Sequence, residues 1–138
     1  MTTASATSTA APSKGLHIGL WVLQILLGVM FTMSGAMKAT QPTGEMAVKM
    51  GMSGGLMLFI GVSEILGGLG LILPSATRIM PKLTPLAAVG LAVIMVLAAA
   101  FHASRGEFGS IGVCAVLGGL FAFIAYGRAK LAPIAPKA

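Results

Sequence analysis

Three carboxylates (Glu45, Glu64 and Glu107), two histidines (His17 and His102) and one thiol (Cys114) are all the acids, imidazoles and thiols available for acid–base, metal or nucleophilic chemistry in this 138-residue chain. Glu64 stands apart, because it is the only charge in the apolar run from Met50 to Thr77. If that run is a helix crossing a membrane, Glu64 lies about 16 Å deep at 1.5 Å per residue, near the bilayer centre. An acid there costs about 2.5–3.5 kcal/mol to insert, so it is expected to be paired, protonated or functional. Gln24, at similar depth in the preceding apolar run, is the expected partner. Two roles compete: interhelical glue, or a proton, quinone or ligand site.

A second group gathers near one end of the runs: Lys38, His102, Arg105 and Glu107, with Ser34 one helical turn inside Lys38. Neutral imidazole accepts a proton or a ligand hydroxyl, and protonated it would pair with Glu107. Lys38 reads equally as part of this site or as an interfacial residue whose stem reaches back to water. The catalytic candidates are therefore Glu64 and His102, and the cofactor-binding candidates are Gln24, Ser34, Lys38 and Arg105. No metal site is expected, because His17 belongs to the opposite end and no acid cluster accompanies His102. Cys114 reads as a small packing residue, and one cysteine supplies neither a disulfide framework nor a Cys-rich metal site. The glycine runs Gly67-Gly68-Leu69-Gly70 and Gly118-Gly119 read as helix contacts, not phosphate cradles.

The elements that must position these groups follow from composition. Only 9% of residues are charged and 57% are hydrophobic, against about 25% and 45–50% in soluble domains. So few charges cannot cover a small domain's surface in water. Disorder is excluded by the hydrophobicity. The net charge of +6 does not signal nucleic-acid binding, since the basic residues lie between apolar blocks and not on one face. A lipid bilayer is the expected partner. Crossing its core takes roughly 20 apolar residues, and four stretches qualify, near residues 16–37, 53–73, 84–103 and 108–127. They are long, unbroken and without period-2 alternation, so helix is preferred to strand. The predicted fold is all-α, a four-transmembrane-helix antiparallel bundle over residues 15–130. A disordered tail over residues 1–14 and a C-terminal tail over 131–138 flank it.

Loop lengths and charges add detail. Ser104 to Glu107 is so short that the third and fourth spans must be antiparallel neighbours. The second loop is expected to carry Pro74, Pro81 and Pro85, the last in a helix's first turn. In the first loop, Glu45 to Met50 is expected as a short interfacial helix with Met46 and Met50 dipping inward. Lys14, Arg78, Lys82, Arg128, Lys130 and Lys137 lie on one side of the spans, and Lys38, Lys49 and Arg105 on the other. That imbalance predicts both termini in the cytoplasm. Small residues form a stripe on each span, including Gly28 and Gly35 on the first and Gly54, Gly61 and Gly68 on the second, which marks contact faces in lipid. Their abundance also suggests a homo-oligomer.

Gly28-x-x-Phe31-x-x-Ser34-Gly35-x-x-Lys38 and Glu64-x-x-Gly67-Gly68-x-x-Leu71 resemble the DoxX and DoxX-like membrane proteins. So do Arg78, the Met95 to His102 stretch and Tyr126-Gly127-Arg128, in that order across residues 16–130. The resemblance implies a four-helix plasma (inner) membrane protein. The family name is shared with membrane subunits of thiosulfate:quinone oxidoreductase, a mycobacterial member is associated with a membrane thiol-redox assembly, and a eukaryotic relative acts as a receptor-assembly chaperone. By position, Ser34, Lys38, Glu64 and His102 are the signature residues. The chain has no cysteine pair and no fused catalytic domain, so stand-alone thiosulfate oxidation is not expected. Three functions follow in order: an accessory subunit of a quinone- or thiol-linked redox system with a peripheral oxidoreductase partner, a scaffold or assembly factor without catalysis, and a small proton-coupled permease.

Overall fold

Long apolar stretches that satisfy their own backbone hydrogen bonds become helices in lipid, and the computed structural model, which describes residues 14–41 and 43–137, is built in this way. It comprises α1 (Lys14–Thr40), α2 (Glu45–Met50), α3 (Gly54–Thr77), α4 (Leu83–Ser104) and α5 (Phe108–Tyr126). A π-helical turn, Gly127–Leu131, continues α5. No strand occurs among the described residues. α1, α3, α4 and α5 with its π-turn are each long and apolar enough to span a bilayer. Of the expected N-terminal tail only Lys14 is described, where it begins α1; the rest lies outside the described residues.

Local chemistry sets the helix ends. The Ser53 hydroxyl caps α3 by accepting the Leu56 N–H at 3.2 Å. Gly51 closes α2 at φ 65°, a left-handed conformation that glycine adopts without a Cβ penalty. Pro74, expected in the second loop, instead lies within the last turn of α3. The missing N–H removes a single i→i−4 bond near the helix end, and the hydroxyl of the next residue, Ser75, bonds side chains of α1 and α4. The short helix expected after the first span is present as α2, but it is Ala47 that is buried, while Met46 is exposed.

The helices meet through small residues. A Cβ added at Gly61 would lie 2.7 Å from the Ala39 amide nitrogen and 2.7 Å from the Gly35 carbonyl, so α1 and α3 touch backbone to backbone. Gly28 likewise meets the Gly68 carbonyl. Paired positions fall along α3 as they rise along α1, so these two neighbours run in opposite directions. The same holds for α3 and α4, where Gly67 meets Leu91 and Gly70 meets Ala87. Phe31 of α1 packs edge-on against Phe121 of α5, centroids 4.9 Å apart, inside a core with Leu27, Leu71 and Leu91. Outward, Phe59, Leu66 and Val96 are each about two-thirds exposed. Such an apolar exterior is stable against lipid tails and would aggregate in water.

Candidate functional site

α3 and α4 touch along Gly67, Gly70 and Ser75, then part toward the α2 end. There, Phe59, Ile60 and Ser63 of α3 face Ile94, Ala98 and Phe101 of α4 across a cavity of about 490 Å³. That volume is in the range of small-molecule sites. α1 forms its back wall through Met30, Phe31, Ser34 and Lys38, and Met50 and Met52 cover its end. Phe59 and Leu97, both lining residues, also lie on the lipid-facing exterior, so the cavity's rim reaches the side of the bundle. Five lining side chains are methionines, whose flexible thioethers adapt to varied apolar shapes.

The polar residues of this wall are Ser34, Lys38, Ser63, Glu64 and His102, with the Cys114 thiol. Ser34, Lys38, Glu64 and His102, dispersed over three helices and nearly 70 positions of sequence, thus share one cavity. Lys38 Nζ donates to both carboxyl oxygens of Glu64, at 2.8 and 2.9 Å, and to Ser34 Oγ at 3.2 Å. Ser34 Oγ in turn donates to Glu64 Oε2 at 3.2 Å. The ion pair is largely enclosed, with side-chain exposures of 15% for Lys38 and 5% for Glu64. The close glycine contact at Gly35 and Gly61 is what lets a side chain in the last turn of α1 reach an acid in the middle of α3.

One expectation is corrected here, and an open alternative is decided. Gln24 does not pair with Glu64: its amide donates to the Leu71 carbonyl at 2.6 Å and to Ser75 Oγ at 3.2 Å, and its oxygen accepts from Arg128 Nε at 2.5 Å. Because α1 and α3 run oppositely, Gln24 lies beside residues 71–75 and Lys38 beside 61–64. Equal distance from two helix ends does not mean equal height when the helices are offset. Nor does the Lys38 ammonium extend to the interface, since Glu64 holds it inward.

Arg105 does not line the cavity either. Its guanidinium donates to the Met50 carbonyl in a short hydrogen bond, to the Lys49 carbonyl at 3.0 Å and to Glu107 Oε1 at 2.7 Å. It thereby ties the end of α2, which covers the cavity, to the α4–α5 turn. Glu107 Oε2 lies 2.7 Å from His102 Nδ1. The His102 hydrogen bond, then that of Arg105, holds the Glu107 carboxyl below its ordinary range. Cys114 is buried and makes no metal cluster, and no group of three His, Cys, Asp or Glu residues suited to a metal occurs among the described residues.

A second polar cluster, at the end where α1 begins and the π-turn closes α5, escaped the sequence reading. Arg128, counted among the basic residues that flank the spans, is 3% exposed. The π-turn carries it inward, where it donates to Gln24, to the Ala132 carbonyl at 2.9 Å and to His17 Nδ1 at 3.0 Å, while stacking over Trp21. Ser75 and Thr84 hydroxyls extend the cluster at 2.8 Å. The C-terminal residues are also engaged, since Arg78 Nε donates to the Ala135 carbonyl and the Lys137 amide to the Arg78 carbonyl, both at 2.8 Å. The signal available in sequence was Gly127 before Arg128: a Cβ there would lie 2.8 Å from Leu20, so this helix end is pressed against α1.

No curated protein and no solved structure matches the chain. The model of the DoxX-like family matches residues 22–132, which takes in most of α1, all of α3, α4 and α5, the Lys38–Glu64 pair and His102. Four apolar helices with a lipid-compatible exterior, and a family match over most of the sequence, make this chain a multi-pass membrane protein that belongs to the DoxX-like family.

Proposed function

We propose that the chain is an accessory membrane subunit of a quinone-linked redox system, and that the cavity between α3 and α4 holds the quinone. The observation that carries this reading is one cavity that joins a mostly apolar, methionine-rich wall reaching the lipid-facing side to a polar end made of Lys38, Glu64, Ser34 and His102. A quinone is such a molecule: an apolar body with carbonyl or hydroxyl groups on its ring. The residues fit it. Lys38 would donate to a ring carbonyl, while Glu64 or His102 would accept from a ring hydroxyl. When bound, the quinone would carry electrons that none of this chain's side chains can hold, and a peripheral oxidoreductase would exchange them. The protein's own part is to admit the ligand from the bilayer, orient its ring and manage protons.

The membrane is proposed to be the plasma membrane, with both termini in the cytoplasm. The basic residues near the helix ends support that orientation, and it places α2 and the cavity's polar end near the opposite face. Reporter fusions at the C-terminus and in the α2 loop test it.

The test of the main reading is purification of the full chain in mild detergent, extraction of lipid-soluble quinone, and titration with a short-chain naphthoquinone. Quinone is expected to co-purify, and Lys38→Leu with Glu64→Leu is expected to lower naphthoquinone affinity at least tenfold. Absence of quinone, together with no saturable binding, defeats the reading. A scaffold without chemistry is the second reading, favoured by the backbone-close α1–α3 contact and by full hydrogen bonding of the ion pair. It expects Lys38→Met/Glu64→Gln to retain both fold and cellular function.

A further inference from the structure

The geometry points to His102 and Glu107 as a proton relay joining the cavity to water at the α2 end, an inference that rests on the cavity's being the ligand site proposed above. His102 lines the cavity, and its side chain is 17% exposed. Glu107, in the α4–α5 turn, is 38% exposed and lies outside the helices that span the bilayer. Between them is one hydrogen bond of 2.7 Å.

The direction of that bond can be deduced. Hydrogen bonds from His102 and Arg105 hold the Glu107 carboxyl below its ordinary range, so it is ionised at neutral pH and only accepts. His102 Nδ1 must therefore carry the proton. In a neutral ring the proton on Nδ1 makes Nε2 the acceptor, and among the described residues Nε2 has no hydrogen-bond partner. In that neutral form, a lone pair on a cavity-lining ring whose other nitrogen is bonded to a partly exposed carboxylate is what a relay requires.

The step balances without electrons. A hydroxyl in the cavity gives its proton to Nε2, so an O–H bond breaks and Nε2–H forms. Nδ1 releases its proton to Glu107 Oε2, and Glu107 passes it to water. One proton enters the ring and one leaves. The ring is left as the Nε2–H tautomer, and ring rotation or reverse passage restores it. Arg105 is a positioning residue: it aims Glu107 through Oε1 and holds the carbonyls of Lys49 and Met50, so it aligns the relay and fixes the cavity's cover together.

The other charged groups around His102 leave this path clear. Lys38 of α1 and Glu64 of α3 line the same cavity but are bonded to each other. From α5 the cavity receives the Cys114 thiol. Glu45 and Lys49 of α2 line a neighbouring groove instead.

Two measurements on the full chain test the relay. The first is nitrogen NMR of histidine-labelled protein in lipid nanodiscs, with no ligand added. His102 is expected in the Nδ1–H form, and Glu107→Gln is expected to bring a mixture of tautomers. A wild-type ring found as Nε2–H overturns the relay. The second uses 2-heptyl-4-hydroxyquinoline N-oxide, a fluorescent quinol mimic with an acidic hydroxyl, on protein oriented in vesicles with a pH dye at the α2 side. The wild type is expected to release about one proton per bound probe to that side. Glu107→Gln is expected to bind within about twofold of wild type but to release several-fold less, and His102→Gln to lose about tenfold in affinity. Equal release by Glu107→Gln, or release at the other face, overturns the proposal. Failure of the wild type to bind the probe overturns the quinone reading, and the relay then stands or falls on the tautomer.

Discussion

Removing Lys38 should destabilise this bundle more than removing Glu64, although the two form one ion pair. Glu64 lies ten residues into α3, about 15 Å along its axis, and its short side chain is only 5% exposed. Lys38 is two residues from the end of α1, so its four-carbon stem can carry a released ammonium to the interface. Breaking a buried pair by removing one partner costs about 3–5 kcal/mol. In Lys38→Met the Ser34 hydrogen bond to Glu64 remains and offsets about 1 kcal/mol, which leaves roughly 2–4 kcal/mol. In Glu64→Gln the ammonium relocates, so the loss is that of charge-assisted hydrogen bonds, about 1.5–3 kcal/mol. The double variant Lys38→Met/Glu64→Gln buries no charge and should lie within about 1 kcal/mol of wild type. Trp21 is the only tryptophan, so its fluorescence can report equilibrium unfolding of all four proteins in mixed detergent micelles. A coupling energy of about 2 kcal/mol or more is expected from the cycle. Additive single effects, with coupling below about 0.5 kcal/mol, or a greater loss in Glu64→Gln than in Lys38→Met, would refute the reasoning.

The glycines should separate into two classes. Gly61→Ala places a Cβ against the α1 backbone and should destabilise by about 1–3 kcal/mol, whereas Gly90→Ala, with nothing within 4 Å, should gain up to about 1 kcal/mol from helix propensity; thermal unfolding in one detergent checks both. Arg128→Met removes the donor to Gln24, His17 and Ala132, which predicts a loss of roughly 2–3 kcal/mol at about 1 kcal/mol per bond. Arg128→Lys should recover less than half in the same unfolding assay, because an ammonium lacks the planar fork. Glu107 gives a pH prediction. Its carboxyl is held below the ordinary value by His102, then Arg105, so its contribution is full above the unfolded value of about 4.3 and lost as pH falls through the lower folded value. Melting midpoints measured from pH 6 to 3 should fall more steeply for wild type than for Glu107→Gln, and parallel profiles would contradict this.

Composition and run length made the fold readable, because lipid leaves a polypeptide few choices. Once four apolar runs of spanning length are present, backbone hydrogen bonding forces helices, and the glycines of α1 and α3 name the faces on which those two meet. Glu64 was likewise legible as a special residue, since a charge in an apolar run needs a reason. Its partner was not legible. Depth estimated from each helix end pointed to Gln24, and only the offset between α1 and α3 showed that Lys38, near a helix end, reaches the acid. Arg128 was missed for a related reason: a cation at the end of a span ordinarily faces water, and it took the π-turn to rotate this one inward.

By itself, then, the sequence determined the solvent this protein lives in, its four spanning helices and the residues too polar to be idle. Those are properties of one-dimensional patterns: hydropathy, length and the spacing of small side chains. The tertiary structure decided who meets whom. It parted α3 from α4 to open a cavity, gathered Ser34, Lys38, Glu64 and His102 on its wall, and left the partly exposed Glu107 bonded to His102. Helix offset and splay depend on packing between distant segments, and no local pattern encodes a distance across a bundle.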